Sequence, residues 1–195
     1  MNYPLKLSFK LLALASQIYV TDASGKTVGY AKQKLLKLKE DVRIFSDTSQ
    51  TEEIYQIKAD RLIDFSARYS FSDSRTGRFL GAVKRRGMRS IWSAHYEIFD
   101  NDQIVMEIKE ENAWIKVFDA LVGEVPLVGA FTGYFFNPAY LVSRTDGAIV
   151  ARVQKQPAMF EGQFELTRQS QMSEAEETRV LLSVLQMIIL ERARG

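Results

Sequence analysis

Eleven residues near the C-terminus, Val180–Leu190, constrain the fold more than any other part of this chain. They read VLLSVLQMIIL and leave no polar face, with only Ser183 and Gln186 interrupting the run. Ser173 followed by Glu176 matches a capping box, and Glu174 and Glu177 suit the positive end of a helix dipole. Arg192 and Arg194 suit the other end. The pattern predicts a helix over about 176–192. A helix apolar all round is buried in protein or in lipid. A membrane span needs roughly 20 apolar residues, whereas a run of about 10–14 has the length of a core helix. This one belongs inside a protein.

What surrounds it is written as a repeated hairpin. "IYVTDASGKTVGYAKQK" begins at Ile18, "RYSFSDSRTGRFLGAVKRR" at Arg68 and "YLVSRTDGAIVARVQKQ" at Tyr140, with a looser copy, "YEIFDNDQIVMEIKEE", at Tyr96. Each is an aromatic and β-branched run, a polar turn, then an alternating run ending in polar or charged residues. Gly25, Gly77 and Gly147 supply the left-handed backbone of tight turns. The alternation predicts one inward face on each return strand: Phe79, Gly81, Val83; Ile104, Met106, Ile108; Ile149, Ala151, Val153. Glu107, Lys109, Arg152 and Gln154 then face outward. A fifth hairpin fits Val42–Ser46 and Ile54–Ala59, and a last strand places Phe160, Phe164 and Leu166 on one side. At the N-terminus, Leu5, Leu7, Phe9 and Leu11 alternate with Lys6, Ser8 and Lys10. That is the period of a half-buried strand, not the unbroken apolar core of a signal peptide.

The sum is about a dozen strands, more than open sheets usually carry without curling or closing. A closed antiparallel barrel of that size is too wide for its own side chains to fill. The apolar helix answers the need. The expected fold is mainly β, a single domain over 1–195: a closed antiparallel barrel of about twelve strands around a buried C-terminal helix.

With these hairpins of the type Tyr-x-x-x-Asp…Gly-x-x-x-Gly-x-Ala-x-x-Lys and the C-terminal apolar helix, the chain resembles the LURP-one-related proteins. "YVTDASGKTVGYAKQKLLKLKEDVRIFSD" and "YEIFDND" carry most of the likeness. That family is grouped with the tubby C-terminal domain and the phospholipid scramblases. The resemblance implies the same barrel around a helix, and lipid as the ligand class. The scramblase calcium segment does not carry over, because "RQSQMSEAEETR" lacks alternating aspartates.

Composition narrows the chemistry. Lys+Arg 26 against Asp+Glu 24 leaves a net charge of +2, too balanced for a nucleic-acid binder. There is no cysteine and one histidine, so neither a disulfide framework nor a zinc cluster is expected. His95 has no G-x-S-x-G nucleophile to serve and reads as a strand histidine with an ordinary hydrogen bond. Asp100, Asp102 and Glu107 lack the glycine and twelfth-position carboxylate of an EF-hand loop and read as a hairpin tip. No P-loop occurs. No cofactor, no metal and no catalytic constellation are expected.

The densest basic cluster is "KRRGMR", with Lys84, Arg85, Arg86 and Arg89. Because it follows directly on a strand, it is expected to share one barrel rim, contribute little to the core, and suit anionic phospholipid or phosphoinositide head groups; the plainer alternative is a solvated loop. Lys32, Lys34, Lys37 and Lys39 form a second stretch on the outer side of a strand. Asn112–Gly123 has helical spacing and is expected to cover one barrel end. The "GAFTG" run from Gly129 reads as a buried connection. The expected function is a non-enzymatic module at a membrane surface, cytoplasmic or peripheral, with no transmembrane span. The alternative is a protein-interaction or scaffolding domain with no lipid activity.

Overall fold

The computed structural model describes residues 1–12, 15–34, 41–61, 67–86, 94–111, 138–157 and 162–192. The proposed helix at Asn112–Gly123, the GAFTG run, Phe160, Lys37, Lys39 and Arg89 lie outside these.

Twelve strands follow one another: β1 (Leu5–Leu12), β2 (Ala15–Thr21), β3 (Thr27–Lys34), β4 (Asp41–Phe45), β5 (Glu53–Ala59), β6 (Arg68–Asp73), β7 (Phe79–Arg85), β8 (His95–Asp100), β9 (Gln103–Glu110), β10 (Ala139–Arg144), β11 (Ile149–Gln156) and β12 (Gly162–Arg168). Each pairs antiparallel with its neighbours in sequence, and β1 pairs with β12 to close the barrel. Helix α1 (Glu174–Arg192) follows, starting two residues before the sequence boundary. Residues Glu177–Ile189 are buried without a break, so no side of the helix meets solvent over that length. The barrel around the helix is as the sequence predicts.

The hairpins carry a feature that alternation does not reveal. In all five the pairing slips by one residue just inside the turn. Ser72 faces Phe79 and Phe71 faces Gly81, which leaves Leu80 as a β-bulge without a counterpart. Val28, Ile54, Val105 and Val150 occupy the same position in the other copies. Bulges bend the strand and sharpen its twist, as closing a barrel requires. They also reset the alternation. Phe79, Ile104 and Ile149, expected inside, are 39%, 45% and 43% exposed, while the bulged Leu80, Val105 and Val150 join the core. Val83, Met106, Ile108, Ala151 and Val153 are buried as expected.

The bulges and turns all lie at one end, here the hairpin end, where β1 and α1 also begin. Gly25, Gly77 and Gly147 take positive φ there, as does Asn101. The helix enters at this end and runs off-centre, closest to β7, then β8 and β6. Gly81 permits that approach. A Cβ on it would lie 2.7 Å from Arg179 Nε and 2.8 Å from the Phe99 carbonyl oxygen, and its φ of +142° disfavours any side chain. On the opposite side, large side chains such as Phe9, Phe164 and Leu166 fill the wider gap.

Candidate functional site

The strand β7 divides the KRR cluster. Lys84 and Arg86 point outward, and Arg85 points into the barrel, because successive side chains of a strand alternate between faces. Arg86 is exposed, with its Nε 3.5 Å from Glu97 on β8. Lys84 is half-buried between Arg68 and Glu97 in the register. Arg85 is 7% exposed. Its guanidinium lies 5.9 Å from the centre of the Tyr96 ring and 3.8 Å from a carboxylate oxygen of Glu191, near the end of α1. The Tyr96 hydroxyl donates to the same carboxylate at 2.5 Å. Burial, then the negative Glu191, pushes the Tyr96 phenol well above its ordinary range, so it remains a donor. The expectation that all these cations share one exposed rim and leave the core alone therefore fails at Arg85, which ties strand to helix.

Other exposed cations gather at the same far end. Lys10 of β1 and Lys32 of β3 flank Gln17 in one cross-strand row, and both are exposed. Lys58, Arg61, Lys109, Lys155 and Arg192 are exposed there too. Sequence reading placed Lys32 on an outer face but had no local signal joining it to Lys10 or Lys155. Pairing across the closed barrel does that.

At the hairpin end many charges are used internally. Asp22, Asp47 and Asp73 each accept hydrogen bonds from their own turns, led by the Ser24 hydroxyl, the Ser49 hydroxyl and the Thr76 amide, and these bonds hold their carboxyls below the usual range. Around the helix N-terminus, Arg144 donates to Glu176 at 2.9 Å, and Arg168 to Glu177 at 3.2 Å. Arg179 Nε donates to the Leu80 carbonyl at 2.9 Å, and its terminal nitrogen lies 2.8 Å from Asp100. The capping box forms: the Ser173 amide donates to Glu176, and the Glu176 amide to the Ser173 hydroxyl. Arg144 first, then Ser173, draws the Glu176 carboxyl down to about 2.

The remaining candidates are structural. His95 Nε2 lies 3.0 Å from Glu107 on the outer face, the ordinary hydrogen bond expected of it. Asp102 pairs with Arg68 at 3.0 Å, and Asp100 with Arg179, so the DND tip is a hairpin turn clamped by arginines. Among the described residues no helix is long and apolar enough to cross a membrane.

Residues 27–175 match the sequence model of a family described as LURP-one-related. An X-ray structure of a protein from Arabidopsis thaliana is similar at a TM-score of 0.48 and 13% identity, covering 95% of this chain and 91% of that one. No curated protein matches the chain.

Proposed function

The chain belongs to the LURP-one-related family, and from its charge distribution we propose that it is a non-enzymatic module that docks on anionic phospholipid at a membrane surface. The observation that carries this reading is the gathering of exposed cations at the far end, Lys10, Lys32, Lys58, Arg61, Arg86 and Lys155 among them. At the hairpin end the arginines around the helix are matched by carboxylates. Each cation near an anionic membrane contributes roughly 1 kcal/mol, so several acting together suffice for peripheral binding without insertion. The resemblance to tubby domains and scramblases supports lipid as the ligand class. The protein then acts peripherally, on the cytoplasmic side where anionic lipids lie.

Flotation with liposomes tests it. Binding is expected to vesicles containing phosphatidylserine and not to pure phosphatidylcholine, and should fall as salt rises, since exposed charges are screened over about 8 Å at physiological ionic strength. A Lys10→Gln, Lys32→Gln, Lys84→Gln, Arg86→Gln variant should lose it without losing its fold. Equal binding to neutral vesicles, or binding that persists at about 1 M salt, would overturn the reading. The second reading, a protein-interaction domain, is favoured by the exposed Phe79, Ile104 and Ile149 at the hairpin end. It predicts no flotation at any lipid composition.

A further inference from the structure

The off-centre helix has a consequence at the far end of the barrel. Because Gly81 and Arg179 draw α1 toward β7, the gap to β10, β11 and β12 is wider, and the described side chains do not fill it to the rim. A cleft of about 200 Å³ remains between the last turns of α1 and these three strands. Phe164, Met187, Ile188 and Pro138 form its apolar wall. That volume exceeds the roughly 150 Å³ of an apolar cavity able to hold benzene.

Its polar groups are few and placed at the edge. Lys155 and Arg192 line the cleft, are exposed, and make no salt bridge with a described carboxylate. Arg192 is held in place by stacking on Phe9, at 5.4 Å from the ring centre. Glu191 also lines the cleft, but its carboxylate faces the Tyr96 hydroxyl at 2.5 Å and Arg85 at 3.8 Å. Tyr140 is the other lining residue with a polar side chain. Its phenol is kept protonated by burial and by Glu110 and Glu191, so toward a ligand it can act as a donor.

We propose that this cleft binds a single-chain anionic amphiphile, its apolar tail against Phe164, Met187 and Ile188 and its anionic head between Lys155, Arg192 and the Tyr140 hydroxyl. Apolar walls with a few convergent polar groups are the usual make-up of a small-molecule site. The head is a carboxylate or a phosphate. The site shares Lys155 with the cations of the membrane-docking reading but none of Lys10, Lys32, Lys84 and Arg86, so the two readings can fail separately.

Titration calorimetry of the full chain with octanoate, octyl phosphate, octanol and octylammonium, each below its micelle concentration, tests it. One saturable site is expected for octanoate or octyl phosphate, at least about tenfold tighter than for octanol, the worth of hydrogen bonds to a charged group. The tighter of the two anions identifies the head. Tyr140→Phe, which keeps the ring, and Lys155→Gln with Arg192→Gln should each weaken the anion by about tenfold and leave octanol unchanged. Melting temperatures check that each variant is folded. Lys84→Gln with Arg86→Gln should change none of these affinities, whatever it does to liposome flotation. Octylammonium or octanol binding as tightly as the anions would overturn the proposal. So would the absence of saturable anion binding, or anion affinity untouched in folded Tyr140→Phe and Lys155→Gln/Arg192→Gln proteins.

Discussion

The two ends of the barrel close by different means. At the hairpin end, five bulged turns fold inward and four arginine–carboxylate contacts, at Arg144, Arg168, Arg179 and Arg68, tie the turns and helix start together. At the far end, the Tyr96–Glu191–Arg85 group holds the last helical turn from one side, and on the other the described residues leave an apolar-walled cleft. The first end uses most of its buried and half-buried charges on itself. The other keeps Lys10, Lys32, Arg86, Lys155 and Arg192 exposed, and that is where both proposed ligands are placed.

The sharpest way to break the comparison removes what both ends share. Leu185 is 3% exposed in the middle of α1. Leu185→Asp places an unpaired charge there, at a cost beyond the about 5–15 kcal/mol that holds a domain together, and no soluble, cooperatively melting protein should result. Gly81→Ala acts where the helix meets β7. Its Cβ would collide with the Phe99 carbonyl and Arg179 from a backbone that favours glycine, which should cost about 3 kcal/mol in urea unfolding.

Two neighbouring arginines sharpen the contrast between inside and outside. Arg85→Gln removes the buried cation facing Glu191 and should destabilise by about 2 kcal/mol, whereas Arg86→Gln, exposed beside Glu97, should stay within about 0.5 kcal/mol. Acid separates the ends in another way. The Glu176 carboxyl lies near 2 folded and about 4.3 unfolded, so its contribution is complete above the unfolded value. It is lost as pH falls from about 4.5 toward 2. Denaturation followed between these limits should show this slope, and Glu176→Gln should flatten it.

A small effect of the opposite sign is expected mid-helix. Ser183 and Gln186 are fully buried, and the Ser183 hydroxyl and both Gln186 amide atoms have no hydrogen-bond partner. With Arg179 they form a stripe at i, i+4 and i+7. Ser183→Ala or Gln186→Met should therefore be neutral or stabilising by up to about 1 kcal/mol, since each removes a polar group buried unpaired.

Much of this was legible in residue order. Period-two alternation located the hairpins, the glycines marked their turns, and a helix without a polar face demanded an enclosure wide enough to hold it. Ser173 and Glu176 announced their capping box. The errors have two causes. Phe79, Ile104 and Ile149 were expected inside because alternation was counted through the turn, and a bulge, which has no reliable signature in one strand, shifts the count by one. Arg85 was read with Lys84 and Arg86 because adjacency in a basic run says nothing of which strand face each takes.

By itself the sequence determined the class of object, a closed antiparallel barrel with its helix inside, because burying a helix on every side is a demand local pattern can state. Only the tertiary structure decided which charges are partners. Arg85 meets Glu191 in the barrel interior, Lys10 and Lys32 line up on either side of Gln17, and Lys155 and Arg192 line one cleft. The physical reason is that register, bulges and the off-centre path of α1 are set jointly by contacts between distant residues. A site assembled from the ends of several strands exists only once the barrel has closed.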